Sequence, residues 1–393
     1  MPNERPYIRV DNLQLIFGKG KRLQQAQHLY NDGATNAEIR EQTRCTVGVR
    51  YADFHIKKGE TFVIVGLSGS GKSSLIRCFN RLNKATGGSI TIDGMDVTKL
   101  DKKELLELRR NKISMVFQSF GLLSHRTVLA NVEYGLEVKG IPNKDRDEMA
   151  KQAIELVGLK GWETYYPHQL SGGMKQRVGL ARAIANDPDI LLMDEPYSAL
   201  DPLIRREMQK ELLNLEDYID KTIVFITHDM NEAFRLGDRI ALMKDGEIVQ
   251  LGKPASFFEN PANDYVRDFI ADVDKTQVLR AKQIMKEIPV SFTPDTPRTD
   301  ARDKLAELEL DVAFVTDEEN HYLGYVTFED LDASRKMTVE KLLKTDLEPY
   351  YRQNFIKDLI SLLDEADYDV PIVDSKNRLR GSICHEVLIS AIS

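Results

Sequence analysis

Residues 66–73 read Gly-Leu-Ser-Gly-Ser-Gly-Lys-Ser, a glycine-rich loop of the form GxxxxGKS. Residues 61–66 predict a buried strand that runs into this loop, and a helix is predicted over residues 72–82. Glycines let backbone N–H groups wrap phosphate oxygens, and the positive end of a helix favours an anion. The candidate phosphate-binding residues are Gly66, Ser68, Gly69, Ser70, Gly71, Lys72, Ser73 and Ser74.

A second chemical group lies at the end of another apolar segment. Residues 189–194, Asp-Ile-Leu-Leu-Met-Asp, predict a buried strand that ends at Asp194. Mg²⁺ is a hard cation that prefers oxygen ligands, so a carboxylate here suits a metal bound to phosphates. In a phosphate-binding loop of this form, Lys72 reaches the β- and γ-phosphates and the Ser73 hydroxyl binds Mg²⁺.

Composition narrows the class of protein. The chain has 393 residues, of which 42% are hydrophobic and 30% charged, as is usual for a globular protein of two or three domains. No apolar run approaches the ~18–20 residues that span a bilayer. The net charge of −8 lies entirely in residues 273–393, which carry 16 basic and 24 acidic residues. Because no basic excess is present, we expect no nucleic-acid partner.

The order of predicted elements indicates an α/β protein with an appended second domain. Apolar strands alternate with helical patterns up to residue 272, which predicts a largely parallel sheet. Strands are also predicted over residues 7–17 and 47–56, and the polar stretch of about residues 19–46 between them carries two helical patterns. We expect the domains to cover residues 1–272 and 273–393.

Further along the chain, residues 170–177 read Leu-Ser-Gly-Gly-Met-Lys-Gln-Arg. Together with the GxxxxGKS loop, with Asp194-Glu195 and with His228, this segment resembles the signature of ABC-type ATPases. The resemblance implies a RecA-like core with a helical subdomain over about residues 119–185. Residues 19–46 would then be a helical insertion, because typical ABC domains join these strands by a short turn.

The resemblance implies roles for three catalytic residues. Glu195 matches the glutamate that polarises the attacking water, and His228, in Thr-His-Asp, matches the histidine that contacts the γ-phosphate. Gln118 matches the glutamine that touches Mg²⁺ and water and senses the membrane partner. The implied metal-binding residues are therefore Ser73, Gln118 and Asp194.

The resemblance also implies a homodimer that sandwiches ATP. Ser171, Gly172 and Gly173 are expected to open a helix and to contact ATP on the other subunit. Asp201, in Ser198-Ala-Leu-Asp201, would cross the dimer interface. Phe17 matches the aromatic residue that stacks on adenine, and Tyr51 is the alternative because the insertion obscures the alignment.

Two related segments occupy the acidic half. Asp311-Val-Ala-Phe-Val-Thr-Asp leads to Gly324, and Asp369-Val-Pro-Ile-Val-Asp leads to Gly381. This duplication resembles an α+β tandem of CBS domains, with repeats over about residues 273–335 and 336–393. CBS pairs bind adenine nucleotides through a Gly-x-x-Thr/Ser-x-x-Asp element, which Thr327 and Asp330 match in the first repeat. The second repeat departs from it at both positions.

The whole pattern resembles the ATPases of glycine betaine/proline importers, which take up quaternary ammonium osmolytes. This implies ATP and Mg²⁺ as ligands, integral-membrane permease subunits with a substrate-binding protein or domain as partners, and a peripheral location on the cytoplasmic face of the membrane. The CBS pair would sense ionic strength or an adenine nucleotide or cyclic dinucleotide. Two alternatives stay open: an importer ATPase for another solute, such as amino acids, and a soluble ABC ATPase acting on DNA or ribosomes.

Overall fold

The structure is a computed structural model that describes residues 6–198, 200–206, 208–209, 221–333 and 338–392, without the side chains of residues 277 and 365. The chain divides into two compact units, Met1–Ala271 and Asp272–Ser393. Their boundary lies within one residue of the position at which the sequence composition changes. Each unit has its own sheets and its own buried residues.

In its described part the first unit contains two sheets. One is antiparallel, in the order β2-β1-β4-β5, and the other has the order β10-β9-β3-β8-β7-β6. The ranges are β1 Ile8–Phe17, β2 Thr46–Ile56, β3 Thr61–Val65, β4 Gly87–Ile92, β5 Met95–Asp96, β6 Ile113–Val116, β7 Ile190–Asp194, β8 Thr222–Thr227, β9 Arg239–Lys244 and β10 Glu247–Gly252.

The larger sheet is parallel except at its β10 edge, where β10 pairs antiparallel with β9. The fully buried strands β3, β7 and β8 have continuous apolar sequences because both of their faces are covered. These strands confirm the predicted parallel α/β core. The separate antiparallel sheet was not predicted, because its strands lie far apart in the sequence and their alternation does not reveal which strand pairs with which.

A shared core joins the two sheets of this unit. Phe54 of the antiparallel sheet stacks on Phe62 of the parallel sheet with ring centroids 5.0 Å apart, and Phe79 lies 6.3 Å from Phe54. All three rings are buried, and stacked aromatic pairs contribute beyond the area they bury. The core therefore fixes the parallel strands relative to β1 and β2, which flank the phosphate-binding loop.

Helices surround the sheets of the first unit. Their ranges are α1 Gly20–Asn31, α2 Asn36–Thr43, α3 Lys72–Phe79, α4 Lys102–Glu107, α5 Val128–Lys139, α6 Asn143–Leu156, α7 Gly172–Ala185, α8 Met230–Leu236, α9 Pro254–Glu259 and α10 Asp264–Ile270. Residues 202–206 and 208–209 are also helical. Helices α5, α6 and α7 pack on one another within the range predicted for a helical subdomain.

The helices α1 and α2 form the insertion between β1 and β2, with a small core of their own. Arg50 of β2 attaches this insertion to the sheet. Its guanidinium donates to the carbonyl of Ala34 at 3.0 Å and to the side chain of Asn36 at 3.1 Å, and it lies 4.8 Å from the ring centre of Tyr30. Charged donors and aromatic faces each strengthen such contacts.

The second unit contains two similar three-stranded sheets in its described part, ordered β11-β12-β13 and β14-β15-β16. Their strands are β11 Ser291–Phe292, β12 Val312–Thr316, β13 Tyr322–Thr327, β14 Tyr350–Tyr351, β15 Val370–Val373 and β16 Leu379–Ile383. The helices are α11 Lys275–Val278, α12 Ala281–Ile284, α13 Arg298–Glu307, α14 Phe328–Ala333, α15 Ile356–Glu365 and α16 His385–Ile392.

The two repeats contact each other reciprocally. The side chain of Asn320 donates to the carbonyl of Leu379 at 2.8 Å, and the side chain of Asn377 donates to the carbonyl of Tyr322 at 3.0 Å. Asn320 and Asn377 occupy equivalent positions in the two repeats, and so do Tyr322 and Leu379. Each pair has the same separation in the sequence as Gly324 and Gly381. The duplication read in the sequence is therefore an approximate twofold arrangement. The short first strands β11 and β14 were missed because two residues give no periodicity.

Within the described ranges, no helix is both long enough and apolar enough to span a membrane.

Candidate functional site: a phosphate-binding loop beside two carboxylates

The glycine-rich loop leaves β3 and ends at Gly71, directly before α3. Gly71 has φ +104°, and a Cβ built on it would lie 2.1 Å from the carbonyl oxygen of Gly48. A side chain at this position would therefore be strained and would collide with backbone. The close approach of the loop to Gly48 brings β2 next to the start of α3.

Lys72 is the charged group at the centre of the loop. Its side chain is buried, and Nζ donates to the carbonyls of Gly66 at 2.8 Å and Leu67 at 3.0 Å. Glu195 Oε1 lies 3.5 Å from the same nitrogen. Burial lowers the pKa of the Lys72 ammonium, while the neighbouring carboxylates of Glu195 and Asp194 act in the opposite direction. The loop thus holds a positive charge where phosphate oxygens would arrive.

Asp194 ends β7 and is completely buried. Its Oδ1 accepts the Ser73 hydroxyl at 2.9 Å. Its Oδ2 accepts from Arg77 Nε at 3.0 Å, and Arg77 Nη2 lies 2.9 Å away. Ser73 and Asp194 therefore present adjacent oxygen atoms, which is the donor set that Mg²⁺ prefers. The residues present fit a magnesium ion bound beside the phosphate-binding loop.

Glu195 lies between Lys72 and His228. Its backbone has φ +43°, a rare conformation for a residue other than glycine, and its N–H donates to the carbonyl of Ile226 at 3.1 Å. Its Oε2 lies 3.3 Å from His228 Nδ1, whose N–H can donate to it. Since the unusual backbone turns the side chain towards both partners, the carboxylate is aimed into the cavity rather than at solvent.

Gln118 reaches the same carboxylate segment through Ser198. Gln118 Nε2 lies 3.4 Å from Ser198 Oγ, and that hydroxyl donates to the carbonyl of Glu195 at 3.0 Å. Asp201 Oδ1 accepts the backbone N–H groups of Leu203 and Ile204 at 3.1 Å each and so caps a helical stretch. Ala199, between these residues in the predicted Ser-Ala-Leu-Asp motif, lies outside the described residues.

Some of these groups line a cavity of about 340 Å³, with Asp194 and His228 behind its Ser73 and Glu195 walls. Its lining residues are Phe17, Thr46, Val47, Gly48, Ser68, Gly69, Gly71, Lys72, Ser73, Ser74, Gln118 and Glu195. A Cβ at Gly48 would lie 2.7 Å from the ring of Phe17, so glycine makes room for this ring at the cavity wall. Tyr51, the alternative aromatic residue, instead packs against Tyr30 of the insertion at 4.8 Å.

The signature segment lies apart from this cavity. Ser171 caps α7, its hydroxyl accepts the N–H of Met174 at 3.3 Å, and the segment is exposed at Ser171 and Gly172. None of the signature residues, nor Asp201, is among the described residues that line the cavity. Within one chain the structure therefore brings together the loop, Asp194, Glu195, His228 and Gln118, but not the signature.

The two candidate regulatory residues, Thr327 and Asp330, form a hydrogen bond with each other. The Thr327 hydroxyl donates to Asp330 Oδ2 at 2.6 Å, and Lys344 Nζ lies 2.5 Å from the same carboxylate. These hydrogen bonds, chiefly from Lys344, lower the pKa of Asp330. The lining of a separate cleft of about 260 Å³ between the repeats includes four acidic residues, Glu309, Asp311, Asp367 and Asp369, but neither Thr327 nor Asp330.

The comparisons with known proteins agree with this geometry. The ABC transporter family model matches residues 49–198, and the CBS domain model matches residues 281–334. The glycine betaine transport ATP-binding protein OpuAA of Bacillus subtilis is 46% identical over 100% of this chain and 94% of its own length. The trimethylamine N-oxide transport system ATP-binding protein TmoW of Pelagibacter ubique is 47% identical over 82% of this chain and 95% of its own length.

A solved structure supports the same fold. The dimeric post-hydrolysis state of the ATP-binding cassette MJ0796, bound to ADP and Pi, is 33% identical with a TM-score of 0.54, and the match covers 63% of this chain and 98% of that one. The chain therefore belongs to the family of ABC transporter ATP-binding proteins, with a CBS domain in its C-terminal unit. It is an ATP hydrolase of the class whose reaction is coupled to transport.

Two contacts of the site were missed from the sequence. Arg77, which binds Asp194, lies four residues after Ser73 in α3, so helical spacing could have placed it on the same face. Ser198, which links Gln118 to the backbone of Glu195, was read only as part of a motif. No periodicity identifies such a link, because it depends on how two loops meet at the edge of the sheet.

The close contact at Gly71 gives the first prediction. The Gly71→Ala variant should lose at least tenfold in affinity for a fluorescent ATP analogue, because its Cβ would push the loop away from Gly48. Gly94→Ala is the matched control, since Gly94 also has a positive φ of +79° but has nothing within 4 Å of a Cβ. It should lose about 1 kcal/mol of stability and keep its affinity. Equal affinity in both variants would contradict this account of the loop.

Proposed function

We propose that this chain is the ATP-hydrolysing subunit of an importer for quaternary ammonium osmoprotectants such as glycine betaine. The observation that carries the ATPase part is one set of side-chain contacts beside the cavity: Lys72, Ser73 and Glu195 line it, Ser73 donates to Asp194, and Glu195 lies 3.3 Å from His228. The substrate class follows from the relatives, since OpuAA and ProV are named for glycine betaine transport.

The residues in and beside the cavity have different roles in binding and hydrolysing ATP. Lys72 and the loop N–H groups bind the β- and γ-phosphates, and Phe17 stacks on the adenine. Ser73 and Asp194, with Gln118, would hold Mg²⁺, which neutralises charge on the phosphates when it is bound. Glu195 accepts the proton of the attacking water, and His228, held 3.3 Å from Glu195, contacts the γ-phosphate.

Assembly completes the site. In this proposal two copies of the chain face each other, and Ser171, Gly172 and Gly173 of one copy contact ATP on the loop of the other. Asp201 crosses between them. The exposed position of the signature at the start of α7, outside the cavity of its own chain, supports this arrangement. The dimer seen for the related cassette MJ0796 supports it as well.

Membrane-spanning permease subunits, with a substrate-binding protein or domain, would supply the transport path. The chain would then be a peripheral protein at the cytoplasmic face of the membrane. Because the solute meets the partners rather than this chain, its identity is not fixed by the cavity described above. The TmoW relatives, named for trimethylamine N-oxide transport, make that methylated amine the second candidate substrate.

The CBS module would gate the reaction in response to ionic strength or to a nucleotide. The acidic excess of residues 273–393 supports a salt response, because salt screens exposed charges over ~8–10 Å at physiological strength. The pairing of Asp330 with Lys344 and the four carboxylates of the cleft between the repeats give that response specific charged groups. A nucleotide at Thr327 and Asp330 would have to replace Lys344 on that carboxylate.

The role of Glu195 gives a prediction for catalysis. Glu195→Gln should retain ATP binding and lower turnover by about 10²-fold or more, because the amide cannot accept a proton from water. ATP should then hold two copies together, so gel filtration with MgATP should show a stable dimer. Glu259→Gln, an exposed change on α9, is the control and should behave as the unchanged chain. Turnover near the normal rate in Glu195→Gln would assign the base to another group.

One assay tests both the transport role and the gating role. In it, the chain is assembled with its permease in lipid vesicles. ATP hydrolysis should rise with glycine betaine, and the rise should require salt above a threshold. Removal of residues 273–393 should abolish the threshold and leave ATP affinity unchanged, because the nucleotide cavity lies wholly in the first unit.

Each outcome of that assay has a separate meaning. Stimulation by trimethylamine N-oxide instead of betaine would change the substrate and keep the ATPase role. An unchanged salt threshold after the deletion would reject gating by residues 273–393. Loss of the threshold in Lys344→Ala, with adenine nucleotides and a cyclic dinucleotide tested in parallel, would assign the response to the Asp330–Lys344 pair.

A further inference from the structure

Glu232 is a buried carboxylate behind the candidate catalytic histidine. It lies on α8, four residues after His228, and only 5% of the residue is exposed. Its two oxygens have separate donors: the Thr227 hydroxyl donates to Oε2 at 2.6 Å, and Gln209 Nε2 donates to Oε1 at 2.9 Å. Both bonds lie away from the cavity that holds the phosphate-binding loop, whose lining does not include Glu232.

The bond to Thr227 fixes the backbone on both sides of His228. Thr227 ends β8 immediately before the histidine, and its Oγ also accepts the N–H of Asp229 at 3.0 Å. Asp229 in turn caps α8 by accepting the N–H groups of Asn231 and Glu232. The hydroxyl held by Glu232 therefore closes a small loop around His228, whose ring lies 3.3 Å from Glu195.

The bond to Gln209 leads to a different part of the molecule. Gln209 belongs to the helical residues that follow Asp201, as does Arg205. Arg205 Nε lies 3.8 Å from Glu232 Oε1, and its Nη1 lies 3.9 Å from Asp229 Oδ2. Asp201 caps the start of helical residues 202–206, which include Arg205. Glu232 thus contacts both the segment that carries His228 and helical residues that follow the proposed dimer contact.

A carboxylate is an unfavourable side chain at this buried position if its only role is to stabilise the fold. Burying a charge costs free energy unless donors surround it, and an apolar side chain of similar size packs at lower cost. Burial raises the pKa of Glu232, although the hydrogen bonds of Thr227 and Gln209 and the charge of Arg205 oppose that rise. The position is therefore better explained by the contacts that the carboxylate makes than by the stability that it adds.

We propose that Glu232 is a positioning residue for ATP hydrolysis: through Thr227 it holds His228 against Glu195, and through Gln209 it joins His228 to the helical stretch after Asp201. The inference rests on the proposed role of His228. It predicts that a change at Glu232 acts on the chemical step and not on nucleotide affinity, because none of its partners lines the nucleotide cavity.

The test is steady-state hydrolysis of MgATP by the full chain. Glu232→Ala should lower kcat by about 10- to 100-fold, as expected when a catalytic group is misplaced, while KM and the affinity for a fluorescent ATP analogue change less than threefold. Glu232→Gln should recover most of the rate, since its amide can keep hydrogen bonds to both partners. Asn231→Ala, an exposed change on the same helix, is the matched control and should leave kcat unchanged.

A double-mutant cycle makes the coupling explicit. Thr227→Val, which removes only the hydroxyl, should lower kcat as Glu232→Ala does, and the double variant should be no slower than Glu232→Ala alone. The proposal would be overturned if the fall in kcat of the double variant equalled the product of the two single-variant factors. A normal kcat in Glu232→Ala would overturn it as well. If Glu232→Ala does not fold, as judged by its melting temperature, Thr227→Val decides the question by itself.

A further variant separates this proposal from the proposed function. If His228→Ala is inactive while Glu232→Ala and Thr227→Val are normal, the positioning role fails and the ATPase role of His228 stands. If His228→Ala keeps its full rate, the role assigned to His228 fails, and with it the reason for a coupling through Glu232.

Discussion

The buried carboxylate of Asp194 is the constraint around which the candidate nucleotide site is organised. A carboxylate without exposed surface must be compensated, and here the Ser73 hydroxyl and the Arg77 guanidinium do so from two successive turns of α3. The compensation joins the helix that begins at the phosphate-binding loop to the end of β7. As a result, the loop and the carboxylates keep a fixed separation, and such pre-organisation lowers the free-energy cost of ordering a binding site.

The parallel sheet explains why so many chemical groups meet at one edge. β3, β7 and β8 are neighbours and run in the same direction, so the residues after each strand emerge side by side. The phosphate-binding loop follows β3, Glu195 follows β7 and His228 follows β8. The buried apolar strands form a firm base at this edge, and the loops that leave it carry the groups to which we assign roles in ATP hydrolysis.

Much of this arrangement could be predicted from the sequence, because the informative residues are local. The GxxxxGKS loop and the strand that ends at Asp194 each carry their own pattern, and the structure has both elements at the expected positions. The contacts that cross between elements could not be read in this way. Arg77 on Asp194, Ser198 on Glu195 and Gln209 on Glu232 depend on tertiary packing, which sequence spacing does not encode. The antiparallel sheet was missed for the same reason, since the pairing of β1 with β4 is set by distant residues.

In the proposed ATPase, Asp194 and Ser73 would hold the metal ion, and metal binding tests this role most directly. Mn²⁺ can stand in for Mg²⁺ and be followed by electron paramagnetic resonance in the presence of a non-hydrolysable ATP analogue. We expect the unchanged chain to bind Mn²⁺ tightly and Asp194→Asn to bind it at least tenfold more weakly. Asp264→Asn, an exposed control, should bind Mn²⁺ as the unchanged chain does. Equal Mn²⁺ affinity in Asp194→Asn and the unchanged chain would contradict it.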